Sequence, residues 1–381
     1  MKFEYQRPGG LIAFGVALLL SACGSAAPAA SPAASSPAAK PAASAAAAAA
    51  PASGDQPEVA NITLVSSSVS PPNISNIYYY AARDGKFMDK HGLKLNLQQS
   101  GGSPNSLAAI KSGSAHFASI NFNTLANAAA NGDKLKLIVS GNFAFPGALL
   151  AGSKITDIKQ LATAKMGTTQ LGAMDQTVAT GILKAKGVDT SKVEWVATQN
   201  TGFGIQYLTS GRIDAEYLSA NDVVQALRSP NIHILVDAKE TQEISPNSGG
   251  TVVVTQDFLA KNPKTVQAFV TAVIEGNRFV SASLDNYKSI GKPIMGDVYS
   301  DDDYKVLFDQ YGPGFGVNGG LPGSYFNRFM GVWKEAINPE KANNPYFQKA
   351  SDLIDYRFAG AALKTLGVQK GAPDEPDWFT P

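Results

Sequence analysis

Cysteine is almost missing from this chain: Cys23 is the only one in 381 residues. That excludes a disulfide framework and a thiolate metal site. Histidine is nearly as scarce, and His91, His116 and His233 fall in three separate elements without metal-ligand spacing. Neither G-x-S-x-G nor H-E-x-x-H occurs, so the nucleophile-elbow and zincin signatures are absent as well. An excess of one charge is also lacking. Thirty-two basic against 31 acidic residues leave a net charge of +1, which argues against the basic surface of a nucleic-acid binder. Long apolar runs are missing too: Leu11–Leu20 falls short of the about 20 residues that span a bilayer.

What stands around that run is informative. Lys2 and Arg7 precede it and Ser21-Ala22-Cys23-Gly24 follow, the basic start, apolar centre and small residues of a secretory signal. Leu20-Ser21-Ala22-Cys23 resembles a bacterial lipobox, which implies that Cys23 carries a diacylglycerol and begins the mature chain. The plainer alternative is a signal peptide with an incidental cysteine. Two or more acyl chains hold a protein stably on a membrane. From Gly24 to Pro57 nearly every residue is Ala, Pro, Ser or Gly, with only Lys40 and Asp55 charged. Such a segment has nothing to bury, and its prolines interrupt any long helix. It reads as a spacer. The expected organisation is a signal peptide over 1–22, the lipidated cysteine and linker over 23–57, and a body from residue 58. A body of that length divides into two cores.

The body alternates short strand-like and helix-like stretches. Asn61–Ser68 reads as a strand and 73–92 as one helix ending at Gly92. Leu93–Gln99 is a strand, 104–113 a helix, Ala115–Asn121 a strand, 124–132 a helix and Lys134–Gly141 a strand. Gly92, Gly113 and Gly132 occupy the left-handed position just past a helix. The pattern restarts after Ser153, with a short helix capped by Thr156, then strands over 165–169, 193–198, 213–219 and 232–238 separated by helices. Thr251–Thr255 is a β-branched strand, and Pro263 opens a long amphipathic helix. This order predicts an α/β protein of two lobes, each a mostly parallel sheet flanked by helices. Lobe one covers 58–150 and 249–381, and lobe two covers 151–248. The chain crosses near Ala151 and returns near Gly249, and the stretch from Lys288 to Pro381 packs on lobe one.

The helix ending Gly85-Lys86-Phe87, then His91-Gly92-Leu93, Gly101-Gly102-Ser103 and "LAAIKSGSAHFAS" are similar to the first lobe of bacterial solute-binding proteins for sulfonates, nitrate and thiamine-pyrimidine precursors. "ITDIKQLATAKMGTTQLGAMDQTV" and "LTSGRIDAEYLSANDVVQAL" resemble the second lobe. The likeness runs from about Asn61 to Val280. It implies a type II periplasmic-binding-protein fold that holds a small-molecule solute between the lobes and delivers it to an ABC-transporter permease. With the signal and lipobox-like segment, the expectation is an exported, lipid-anchored monomer without cofactor or metal. A module serving a sensor is the alternative. The resemblance also reaches fungal thiamine-pyrimidine synthases, but their cysteine cluster has no counterpart here.

Ligands of open parallel sheets bind beyond the carboxyl ends of the strands. The loops there supply the candidates. Gly102 and Ser103 lead into a helix whose first N–H groups are unpaired, although Gly-Gly also suits a plain turn. Thr168, Thr169, Gly172 and Ala173 form a hydroxyl- and glycine-rich loop, in which Asp175 is read as a helix cap. Ser68 and Asn73 follow the first strand, with Ser70 between them, and Asn121 follows the third. Phe122, Phe143 and Phe145 stand at strand exits, where a ring can stack or simply pack; Phe143 is the one taken as a candidate. Tyr217 and Asn221 flank another strand end. No arginine occurs in these loops, so a fully charged anion would rely on helix ends and hydroxyls. Gly314–Gly319 satisfies G-x-G-x-x-G, but it neither follows a strand nor opens a helix in a βαβ unit, and it is set aside as a glycine loop.

Overall fold

Ten short strands among the described residues build two sheets. In the computed structural model, residues 56–378 are described except 69–72, 145, 247, 249 and 335–348. The expected signal, Cys23, nearly all of the spacer, Ser70 and Phe145 lie outside the described residues. The first sheet holds β1 (Asn61–Ser66), β2 (Lys94–Gln99), β3 (Phe117–Ile120), β4 (Leu135–Ser140) and β10 (Thr251–Thr255), in the order β2-β1-β3-β10-β4. The second holds β5 (Gly147–Gly152), β6 (Lys165–Thr168), β7 (Glu194–Ala197), β8 (Ala215–Ser219) and β9 (Ile232–Val236), in the order β7-β6-β8-β5-β9.

Period-two alternation sorts the side chains onto the two faces of each sheet. In the first sheet Leu64, Phe117, Val252 and Val254 face one core, where Phe269 of the helix Pro263–Ser281 stacks on Phe117 at 4.1 Å. Val65, Ala118, Leu137 and Val253 face the other core, closed by Phe326, Phe329 and Trp333. The second sheet is likewise covered on both faces, with Leu149 and Ala215 on one side and Leu150 and Leu218 on the other.

Each sheet is mixed. β1, β2 and β3 pair in parallel, whereas β10 is antiparallel to β3 and β4. In the second sheet β6, β7 and β8 are parallel, and β5 opposes β8 and β9. The opposed strand in each sheet is the one that follows a crossing. A chain that leaves one sheet at its carboxyl edge enters the other at the facing edge, so its next strand runs away from the gap. The two crossings are joined, with Gly141 N–H donating to Gly250 O (2.8 Å) and Gly250 N–H to Asn142 O (3.2 Å).

Several expectations need correction. β5 was not anticipated, because "GALLAG" contains no β-branched residue to mark a strand. Since β5 belongs to the second sheet, the chain changes sheets before Gly147, earlier than the expected crossing near Ala151. The helix expected over 73–92 is broken: a 3-10 turn at Ile74–Asn76 leads into Ile77–Asp84, and Phe87–Lys90 follows after Lys86 takes a left-handed conformation (φ 65°). The turn Ile158–Thr163 is capped by Asp157, whose side chain accepts from Lys159 N, and not by Thr156. The C-terminal helices do pack on the first sheet, yet they also reach the second lobe. Tyr311 donates to Asn221 Oδ1 (2.7 Å) and Arg228 pairs with Asp303 at 2.8 Å. Gly92, Gly113 and Gly132 all have positive φ, as expected of helix stops.

Candidate functional site

The carboxyl edges of the two sheets face each other across a cavity of about 130 Å³. Its first wall is built at the ends of β1, β2 and β3. Ser67, Ser68, Asn73, Ser75 and Asn76 line it from the first of these loops. Asn73 accepts from Ser75 N (2.8 Å) and Asn76 donates to Ser66 Oγ (2.8 Å), so this polar loop is internally braced. Gly101, Gly102, Ser103 and Pro104 come next, leading into the helix Ser103–Ser112. Gly102 has φ 148° and ψ 157°, a region essentially closed to side chains with a Cβ. The helix has no side-chain cap, and its N-terminus opens toward the cavity. Ser103 Oγ accepts from both N and Nδ2 of Asn121 (3.1 Å each), which ties this helix end to the end of β3.

The second wall comes from the ends of β6, β7 and β8. Thr169, Gln170, Gly172, Ala173, Met174 and Asp175 line it, with Thr201, Tyr217, Ser219 and Asp222. Asp175 gathers its own loop. Its Oδ2 accepts from Thr169 N (2.5 Å), and its Oδ1 accepts from Thr168 Oγ1 and Gln176 N (3.0 Å each). The cap position of the helix Met174–Ala185 belongs to Ala173, so Asp175 is not the cap anticipated for it. Ser219 Oγ donates to Asp222 Oδ2 at 2.6 Å. The walls meet where Gln170 Nε2 donates to Gly101 O (3.2 Å).

Electrostatically the second wall is acidic. Burial raises the Asp175 carboxyl above the usual range against several hydrogen bonds that lower it. Burial pushes Asp222 up to about 6. Behind the wall, burial and then the charges of Asp175 and Asp222 push Glu216 up to about 9. The Tyr217 hydroxyl is also raised, first by burial and then by Asp175. Tyr217 is only 2% exposed, and its hydroxyl has no hydrogen-bond partner among the described residues. None of the described lining residues is lysine, arginine or histidine.

Nine of the anticipated residues therefore come together on the cavity: Ser68, Asn73, Gly102, Ser103, Asn121, Thr169, Gly172, Ala173 and Tyr217. Three do not line it. Phe143 is buried in the first lobe against Tyr325, with ring centroids 4.8 Å apart, because its strand exit turns into the core. Thr168 points its hydroxyl at Gln170 O and Asp175, and so supports the loop from behind. Asn221 is held by the Tyr311 and Ser219 hydroxyls. Phe122, the other described strand-exit aromatic, also packs in the core. Sequence reasoning missed Asp175 as a wall residue and passed over Asp222. A signal for Asp222 did exist, since Ser219-Ala220-Asn221-Asp222 fits the S-x-x-D pattern of a helix start. His116 is half-buried: its Nδ1 accepts from Thr63 N (2.9 Å), and burial lowers its pKa.

The family model described as NMT1/THI5 like matches residues 73–283, more than half of the chain. The chain belongs to the NMT1/THI5-like family. No curated protein matches this NMT1/THI5-like chain. Among solved structures, a protein of Bordetella bronchiseptica RB50 superposes with a TM-score of 0.69 at 20% identity, over 82% of this chain and 99% of its own. The periplasmic aliphatic sulphonate-binding protein SsuA of Escherichia coli gives 0.60 at 13% identity, over 76% and 93%. The periplasmic nitrate-binding protein NrtA of Synechocystis PCC 6803 gives 0.61 at 13% identity, over 84% and 93%. At such identities the likeness is one of fold. This NMT1/THI5-like chain has the two-lobed periplasmic-binding-protein architecture anticipated for it.

Proposed function

We propose that this protein is an extracytoplasmic solute-binding protein that captures a small molecule between its lobes and delivers it to an ABC importer. The observation that carries this reading is the cavity, lined from the carboxyl edges of both sheets and bridged by Gln170 and Gly101. A solute that touches both walls favours the closed form by the contacts it makes only there. The functions named for the sulphonate- and nitrate-binding neighbours support the same reading. In this reading 1–22 is a lipoprotein signal peptide, Cys23 carries the lipid anchor, and 24–57 is the spacer of an exported monomer. The protein acts as a binder and not as an enzyme. Ser68, Asn73, Gly102, Ser103, Asn121, Thr169, Gly172, Ala173 and Tyr217 contact the solute, with Asp175 and Asp222 beside them.

A thermal-shift screen over small polar and heteroaromatic solutes tests the reading. A true ligand at 100 times its Kd is expected to add about 2.7 kcal/mol of apparent stability. The same ligand should reduce the radius of gyration in solution scattering. A tight ligand that leaves the scattering profile unchanged would contradict capture by closure.

A further inference from the structure

We propose that the cavity takes a compact organic cation whose positively charged nitrogen lies against Asp175 and Asp222. This rests on the solute-binding reading above and names the chemical class of the solute. Two carboxylates line the second wall, and no described lining residue carries a positive charge. The residues that hold these carboxylates are all neutral. Asp175 is held by Thr168, Thr169 and Gln176, and Asp222 by Ser219, Thr201 and Asn221. The groups that press on Asp222 from neighbouring elements are Glu216, Tyr299 and Tyr311, none of them cationic.

Asp175 is 7% exposed and Asp222 4%. A buried carboxylate is costly unless it is paired with a cation, and in this wall the protein supplies none. Tyr217 also lines the cavity, and its hydroxyl is almost wholly buried without a partner among the described residues, so that it is able to accept from a ligand N–H. A ligand nitrogen bearing several N–H groups completes all three. An anion such as nitrate or a sulfonate meets two carboxylates on this wall and only a helix end on the other. The volume limits the size: a cavity of roughly 150 Å³ is known to hold benzene, and this one is about 130 Å³. The ligand is therefore a single ring or a short chain bearing an amidinium, guanidinium or ammonium group. Its uncharged end lies toward Gly102 and the first turn of the helix Ser103–Ser112.

Calorimetric titration of the full chain tests this. The probes are benzamidine, guanidinium and 4-aminopyridine as cations, benzamide as the neutral isostere, and nitrate, methanesulfonate and benzenesulfonate as anions. At least one cation is expected to bind, with affinity lowered more than tenfold by Asp222→Asn and by Asp175→Asn. Both substitutions preserve shape, and circular dichroism reports whether each variant is folded. Cation affinity should rise about tenfold between pH 5 and pH 7 as Asp222 ionises. An anion affinity for this carboxylate wall should fall over the same range. Binding of an anion or of benzamide without any cation overturns the cation assignment and leaves solute capture standing. Absence of binding by every probe counts against both. A cation that binds equally well to the two folded asparagine variants places it elsewhere and overturns the proposal.

Discussion

Tyr217 buries its hydroxyl beside Gly147 with no partner among the described residues, so the desolvation of one oxygen is left without compensation. An unsatisfied buried polar group costs about 1–3 kcal/mol. Tyr217→Phe is therefore expected to stabilise the ligand-free protein by about 1 kcal/mol and to weaken solute binding. Urea denaturation at constant m-value, alongside titration with a bound solute, separates the two effects. Glu216 makes a second case. Its carboxyl rises from the ordinary range to about 9, first through burial. The folded state then holds a proton that the unfolded state releases above its normal pKa. The contribution of this group is fully present below about pH 4.5, and it declines as pH rises toward 9. Denaturation at pH 5, 7 and 9 should show stability falling across the series, with a shallower slope in Glu216→Gln. A slope unchanged by that substitution would assign the trend to other groups.

β5 shows how a strand can be made without strand-forming residues. Its central position between β8 and β9 supplies hydrogen bonds on both edges, and small side chains permit close neighbours. A Cβ at Gly147 would collide with the Tyr217 hydroxyl and ring and with Leu218 O. Overpacking of this kind costs typically 1–3 kcal/mol. Gly147→Ala is expected to lower the melting temperature accordingly and to displace Tyr217 from the cavity wall, and thermal melts with and without solute read both. The neighbouring β8 alternates as a two-faced strand should. Ala215 and Tyr217 turn toward the core under the helix Met174–Ala185, while Glu216 turns toward the helix Thr201–Ser210. One register step thus separates a wall residue from a buried acid.

Across the folded body, several contacts among the described residues connect the two lobes. The crossings pair through Gly141 and Gly250, Gln170 spans the cavity mouth to Gly101, and the helix Asp301–Tyr311 reaches the helix Ala220–Ala226. Tyr311 and Asn221 are both buried at the last of these. A neutral hydrogen bond contributes about 0.5–1.5 kcal/mol net. Tyr311→Phe is expected to cost that much without touching the cavity. Calorimetry should show a lower transition temperature, and a solute titration should show unchanged stoichiometry. A loss of stability in several-fold excess of one bond would mean that this contact governs how the lobes dock.

Local chemistry made much of this architecture readable. Glycines at 92, 113 and 132 stop helices because only they take positive φ freely, and Thr251–Thr255 declares itself through β-branching. The loops at the strand ends were legible for the same reason, since hydroxyls, glycines and asparagines cluster where a core cannot use them. Period and composition could not reveal β5, whose identity as a strand depends on partners 60 to 90 residues further along the chain. Nor could they turn Phe143 inward, Thr168 behind its loop, or Asp175 and Asp222 into one acidic wall. Those outcomes depend on which side chains meet across space and on how little water reaches them. Burial and neighbouring charge, which set the character of this cavity, exist only once the sheets have brought distant residues together.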